Sequence, residues 1–280
     1  MFAEVTPTGP LIPISLPDQV PVREGKAELS GTCLWYWDTG GHGTPVVFLH
    51  PASGSALVWL DQQPVFAAAG YRVIAYSRRN YYRSDPAPRN NPGIASVDLQ
   101  NLTEFLGLEK FHAVSSAAGG SVAADYAFSH PERLLSLTVS SNNLAAANGY
   151  IADTAARIRP KEWEGLPRWF RELGPSYRAA NPRGVEKWTE LNHQSETGRG
   201  ARQKLAHVVT PDKLESLDVP TLLVTGAADL STPPAIMRMI ASHISRHQVV
   251  IVAECGHSPY WERPDIFNRT VLDFIGRHSR

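Results

Sequence analysis

From residue 45 onward, short unbroken apolar runs alternate with amphipathic stretches. Val46-Val47-Phe48-Leu49, Arg72-Val73-Ile74-Ala75-Tyr76, His112-Ala113-Val114 and Leu135-Ser136-Leu137-Thr138-Val139 are too short for helices. They predict strands buried on both faces. The stretches at 60–69, 96–106 and 119–128 predict helices between them. Such alternation implies an α/β class, with a mainly parallel twisted sheet flanked by helices. Ahead of it, 22–29 and 32–38, separated by Ser30-Gly31 and closed by Gly40-Gly41, predict a β-hairpin. The first 21 residues are rich in proline (Pro7, Pro10, Pro13, Pro17) and without periodicity, so an arm along the surface is expected. After Asn143 the rhythm breaks. No β run occurs until 219–225, and amphipathic spacing at 162–173 and 184–192 predicts a helical insertion. Strands resume at 219–225 and 248–252, and 266–275 closes the chain as an amphipathic helix. The expected organisation is an arm at 1–21, an α/β core at 22–143 and 214–280, and a helical cap at 144–213.

Composition narrows the function. The chain of 280 residues suits one medium domain with an insertion. Its 27 Lys+Arg balance 27 Asp+Glu, so no basic footprint points to nucleic acid or an anionic membrane. No apolar run approaches the roughly 18 residues of a membrane span. A basic segment followed by an apolar one, the mark of a secretory signal, is not seen at the start, and a cytoplasmic protein is expected. Cys33 and Cys255 do not make a disulfide framework. Neither metal-ligand spacing nor a dinucleotide glycine pattern occurs, so no cofactor is expected.

The chemistry lies in three segments. Phe111-His112-Ala113-Val114-Ser115-Ser116-Ala117-Ala118-Gly119-Gly120 reads as a buried strand, a sharp turn and a helix start. Its small-x-nucleophile-x-Gly pattern is that of a nucleophile elbow, with Ala117 where Ser, Cys or Asp would stand. Thr225-Gly226-Ala227-Ala228-Asp229 and Glu254-Cys255-Gly256-His257 each follow an apolar run. A hydroxyl nucleophile needs an adjacent base, and the base needs a group fixing its tautomer; His257 and Asp229 fit those roles. Ser116 as a displaced nucleophile would shift the helix face by one residue.

The order nucleophile, acid, histidine on a β/α frame resembles the α/β-hydrolase superfamily, from Val22 to the C-terminus. His130-Pro131-Glu132-Arg133 and the final helix match it too. The resemblance implies an eight-stranded-type sheet, with the N–H groups of Ala118 and Ala52 as the oxyanion hole. Pro51 departs from the usual His-Gly; His50 is implied to brace the loop and Arg79 to pin its turn. It further implies hydrolysis of an apolar or aromatic ester or lactone. Trp261 after the histidine is similar to the meta-cleavage-product hydrolases, which cut carbon–carbon bonds. Candidate substrate-binding residues are Trp163, Trp188, Trp261 and Ser116. Arg78, Tyr81 and Tyr82 are placed to bind a carboxylate or phenol, or to lie on the surface. The expected partner is a small molecule, with a homodimer left open.

Three explanations account for the alanine: a serine hydrolase substituted to trap substrate, a natural general-base lyase or cofactor-free oxygenase, or a binding module. The retained His257 and Asp229 favour the first.

Overall fold

The computed structural model describes residues 2–5, 15–144, 150–159, 161–195 and 200–279. The strands are β1 (Phe2–Val5), β2 (Arg23–Leu29), β3 (Thr32–Asp38), β4 (Pro45–Leu49), β5 (Arg72–Tyr76), β6 (Phe111–Ser116), β7 (Leu134–Ser140), β8 (Thr221–Gly226) and β9 (His247–Val252). They form one sheet in the order β1-β9-β8-β7-β6-β4-β5-β3-β2. Neighbours from β1 to β5 in that order run parallel. The β2–β3 hairpin adds the antiparallel edge. Every residue of β6 and β8 is buried, which is why these segments are short and apolar on both faces.

The helices are α1 (Gln63–Ala68), α2 (Ala95–Phe105), α3 (Ala118–Ser129), α4 (Tyr150–Ile158), α5 (Arg168–Glu172), α6 (Pro175–Ala180), α7 (Pro182–Ser195), α8 (Pro211–Glu215), α9 (Pro234–Ala241), α10 (Pro259–Glu262) and α11 (Pro264–Gly276). Alternate strand residues serve two cores. Ile74 and Tyr76 pack with Leu99, Tyr126 and Ile240 beneath α2, α3 and α9. Val73 and Ala75 pack with Phe66, Phe267 and Phe274 beneath α1 and α11. Burying each such side chain contributes about 1.5–3 kcal/mol, so both faces are firmly held.

Two expectations need correction. Within the 1–21 arm, Phe2–Val5 is a parallel edge strand on β9, with the Val5 carbonyl accepting from Ala253 N–H at 3.0 Å. Four residues show no period of their own; pairing with a neighbour makes the strand. The sheet therefore has nine strands, not eight. Pro7, Pro10 and Pro13 lie outside the described residues. The helix expected at 162–173 is broken by Pro167, with a 3-10 turn at Lys161–Gly165 before it and α5 after it. Proline lacks the N–H that would continue the ladder. Between β7 and β8 the described chain forms α4 to α8 and no named strand; 145–149, 160 and 196–199, within the expected cap, lie outside the described residues.

The crossing of α3 over the sheet explains the paired glycines. A Cβ on Gly119 would lie 2.2 Å from the Leu49 carbonyl oxygen, and one on Gly120 would meet Asn142 and Val139 at 2.9 Å. Backbone contact at Gly119 leaves no flexible side chain to yield. Gly119→Ala is expected to cost about 1–3 kcal/mol, as overpacking does; a urea midpoint unchanged from the parent would refute the close crossing.

Candidate active site

The β6–α3 junction is bent at Ala117, whose backbone sits at φ 43, ψ −122. A non-glycine residue there stores roughly 1–3 kcal/mol of strain and persists only when its surroundings dictate it. They do so here. Ala117 N–H donates to the Ser140 carbonyl at 2.8 Å, and its own carbonyl accepts from Gly120 N–H at 2.8 Å and Asn142 Nδ2 at 2.6 Å. The elbow is thus fully built around a methyl group.

A cavity of about 740 Å³ opens over the elbow, and Ala52, Ala117, Ala118 and His257 all line it. Ala118 begins α3, so its N–H has no partner inside the helix and faces outward from the helix start. Ala52 follows β4 in the loop that His50 braces. That imidazole is fully buried, with Nδ1 2.7 Å from the Pro51 carbonyl and Nε2 accepting from Arg78 N–H at 3.0 Å. Burial, reinforced by the Arg78 charge, holds His50 well below the usual histidine range, so it is neutral and donates from Nδ1 to Pro51. Arg79 pins the next loop to α2 by two bonds to Asp98, 2.8 Å and 2.7 Å long.

His257 is anchored from behind. Its Nδ1 lies 3.0 Å and 2.9 Å from the two oxygens of Asp229, leaving Nε2 as the nitrogen for the cavity. Asp229 is itself held by the N–H groups of Ser231 and Thr232 at 2.7 Å and 2.9 Å. Burial pulls the imidazole down, but the Asp229 charge and hydrogen bond, with help from Glu172 and Glu262, outweigh it and raise His257 to about 9. Burial would raise Asp229, yet the His257 charge and the bonds from His257, Thr232 and Ser231 hold it below the usual carboxylate value.

Two carboxylates that the sequence did not single out complete the site. Glu172, at the end of α5, lines the cavity, accepts the Ser53 hydroxyl at 2.5 Å and offers its backbone carbonyl to His257 N–H at 2.8 Å. Burial raises its carboxyl. Glu262 is buried behind the histidine loop and accepts from Gly174, Gly256 and Ser258 N–H at 2.7, 2.9 and 3.2 Å. Burial pushes it up to about 7. An acid inside the apolar run Tyr260-Trp261-Glu262 was the available signal for this role.

Glu262 gives a pH prediction. A carboxyl whose folded pKa lies above its unfolded value favours folding at low pH and loses that contribution as pH rises through the folded value. Between about pH 4.5 and 7, Glu262→Gln should therefore flatten the fall in stability relative to the parent. Urea midpoints across that window check it; parallel curves would contradict it. Glu262→Ala, which strands three buried N–H groups, should cost about 3 kcal/mol or more, at roughly 1–3 per orphaned group.

The expected substrate contacts fare differently. Ser116 is fully buried in β6, its hydroxyl has no partner, and it does not reach the cavity. Trp188 packs in the core beside Leu191 and Tyr260. Trp163 is buried and absent from the cavity wall, with Arg159 and Arg171 over its ring. Trp261 lines a separate cavity of about 510 Å³ with Tyr177 and Asp61. None of the four therefore lines the cavity over Ala117. Among the described residues its wall is mixed, with Ala52, Ala118, Val122 and Leu205 beside Arg78, Arg79, Arg159, Arg168 and Arg202 and the acid Glu172; Tyr81 is its aromatic residue.

Comparison with known proteins agrees with the fold. The model described as "Alpha/beta hydrolase family" matches residues 46–270. A 2-hydroxy-6-oxononadienedioate/2-hydroxy-6-oxononatrienedioate hydrolase of Pseudomonas putida is 27% identical, over 91% of this chain and 94% of its own. Among solved structures, a thermophilic esterase from Thermogutta terrifontis superposes with a TM-score of 0.75 at 22% identity, over 92% of this chain and 100% of its own. The enol-lactonase of Burkholderia xenovorans LB400 gives 0.70 at 20% identity, over 90% and 100%.

Proposed function

Given that the chain belongs to the α/β-hydrolase family, we propose that its cavity is built to hydrolyse a carboxylic ester or lactone, with Ala117 standing at the nucleophile position. The observation that carries this reading is the strained elbow at Ala117 in one cavity with His257, whose Nδ1 is fixed by Asp229. In a serine form, Oγ at 117 attacks the carbonyl carbon and His257 Nε2 takes its proton. The charge on the carbonyl oxygen falls to the N–H groups of Ala52 and Ala118. His257 then returns the proton to the leaving alcohol, and a water activated by the same nitrogen cleaves the acyl-enzyme.

With alanine in place the first bond cannot form, so the chain as it stands binds and polarises a carbonyl without acylation. The serine-less form of a Ser-His-Asp hydrolase is the reading that leaves no part of the site unused. Its test is a comparison of the parent and Ala117→Ser on p-nitrophenyl esters and aryl and aliphatic lactones, with His257→Ala as control. Turnover should appear with serine and vanish with His257→Ala. An active alanine form that serine does not improve would instead make His257–Asp229 a general base without a covalent step, and would refute the hydrolase reading. A form that binds ligand without turnover at either residue would make the chain a binding module. Residues 144–213 are proposed as the cap over this cavity, since Arg159, Arg168, Glu172 and Arg202 reach its wall from that segment.

A further inference from the structure

The two arginines after β5 are adjacent in sequence and opposite in condition. Arg79 is buried and fully met, with both Asp98 oxygens on its guanidinium. Arg78 is just as buried, at 7% exposed, and has no carboxylate partner among the described residues. Its Nη2 reaches the Pro51 carbonyl at 3.3 Å and lies near His50, while its guanidinium sits 5.2 Å from the Tyr81 ring centre. Among the described residues Nε and Nη1 meet no hydrogen-bond acceptor, and the side chain lines the cavity over Ala117. Guanidinium has five donors in a fixed fork, and a buried cation is costly until an anion answers it.

We propose that the substrate of this cavity carries a carboxylate, seated on the open edge of Arg78 beside the reacting carbonyl. The proposal rests on the reading of this cavity as the reaction site, and names the class of molecule it takes. Position supports it. Pro51, which Arg78 touches, is the residue before Ala52, so an anion on Arg78 lies next to the oxyanion loop. The substrate is then a short acid-bearing ester or lactone, such as the half-ester of a dicarboxylic acid, rather than an extended apolar ester. Charge supports it as well. The whole chain is balanced at 27 basic and 27 acidic residues; among the described residues of this cavity, Arg79 is answered by Asp98 and Arg168 is partnered, while Arg78, Arg159 and Arg202 share the wall with one glutamate, Glu172, which already accepts from Ser53. A local positive field in a cleft draws anions toward it, and a planar carboxylate matches the arginine fork in a way that lysine cannot.

Calorimetric titration tests this without needing turnover. The parent chain would be titrated with monomethyl adipate and with dimethyl adipate, at 25 mM and 250 mM sodium chloride. The half-ester should bind at least tenfold more tightly than the diester, and the preference should shrink in high salt. Arg78→Met should abolish the preference, and Arg78→Lys should keep only a minor part of it. Because Arg78 also touches the oxyanion loop, each variant's circular dichroism and melting are compared with the parent; the salt dependence of the parent decides the matter if Arg78→Met fails to fold. Equal binding of the two esters, no binding of the half-ester, or a preference that survives Arg78→Met in a folded protein overturns the proposal. An inert Ala117→Ser with intact half-ester selectivity would sink the hydrolase reading alone.

Discussion

Ala117→Ser raises kcat for a matched ester by at least about 10³-fold, with KM changing severalfold at most. The size follows from what the alanine form retains. Removing the serine of a complete triad costs roughly 10⁶ in kcat, while the oxyanion hole and binding alone still leave about 10³–10⁴ over water. Here the strained bend at Ala117 and the His257–Asp229 contact are in place before the hydroxyl arrives, in the cavity that Ala52 and Ala118 also line. The substitution adds one oxygen atom to a methyl side chain and asks nothing further of the backbone, which already holds the required bend. Since substrate contacts along the cavity wall are untouched, the gain belongs to the transition state and appears in kcat. Steady-state kinetics of both forms on one ester check it; a change confined to KM would mean that residue 117 only shapes the pocket.

In the serine form, Asp229→Asn lowers kcat by about 10⁴-fold, the penalty for an imidazole held in the wrong tautomer. An amide can offer Nδ1 either an acceptor or a donor, and the geometry no longer selects Nε2 as the base. The pH profile carries a second signature. With Asp229 present, His257 is raised to about 9, so log kcat/KM should climb with unit slope below that pH and flatten above it. Loss of the aspartate charge lets burial dominate and draws the histidine downward, so the residual activity of Asp229→Asn should level off at a lower pH. A profile that keeps the same midpoint would mean that Asp229 does not set the basicity of His257.

Much of this was legible in the residue pattern. Two-faced burial leaves no room for polar alternation, and the runs in β4 to β7 show it directly. The elbow was legible because its paired glycines answer close approaches, Gly119 to the Leu49 backbone and Gly120 to Asn142 and Val139. His257 and Asp229 could be found because each follows a strand end, where chain order alone fixes position on the sheet rim.

The aromatic residues were not legible in that way. Trp188 lies on the amphipathic α7, where a stripe that faces a cavity and a stripe that faces the core have one period, and Trp261 lies on the four-residue, wholly buried α10, which is too short to show one. Only tertiary packing separates them, and it sends Trp188 into the core and Trp261 to another cavity. Glu172 and Glu262 were missed for a related reason. The Glu172 carboxylate meets Ser53 and the Glu262 carboxylate meets Gly174 N–H, both from distant segments, and such partners leave no local spacing to read. The edge strand β1 was hidden likewise, since pairing with β9 and not its own sequence makes it a strand.

The most direct test of the central claim is the intact mass of Ala117→Ser, quenched in acid within milliseconds of mixing with p-nitrophenyl acetate and then digested to locate the label. The site described here predicts a single acetyl group on residue 117, formed at the rate of the p-nitrophenolate burst and absent from the parent and from the His257→Ala control. Label-free serine at 117 while turnover proceeds, or acetyl found at Ser53 or Ser116 instead, would contradict it.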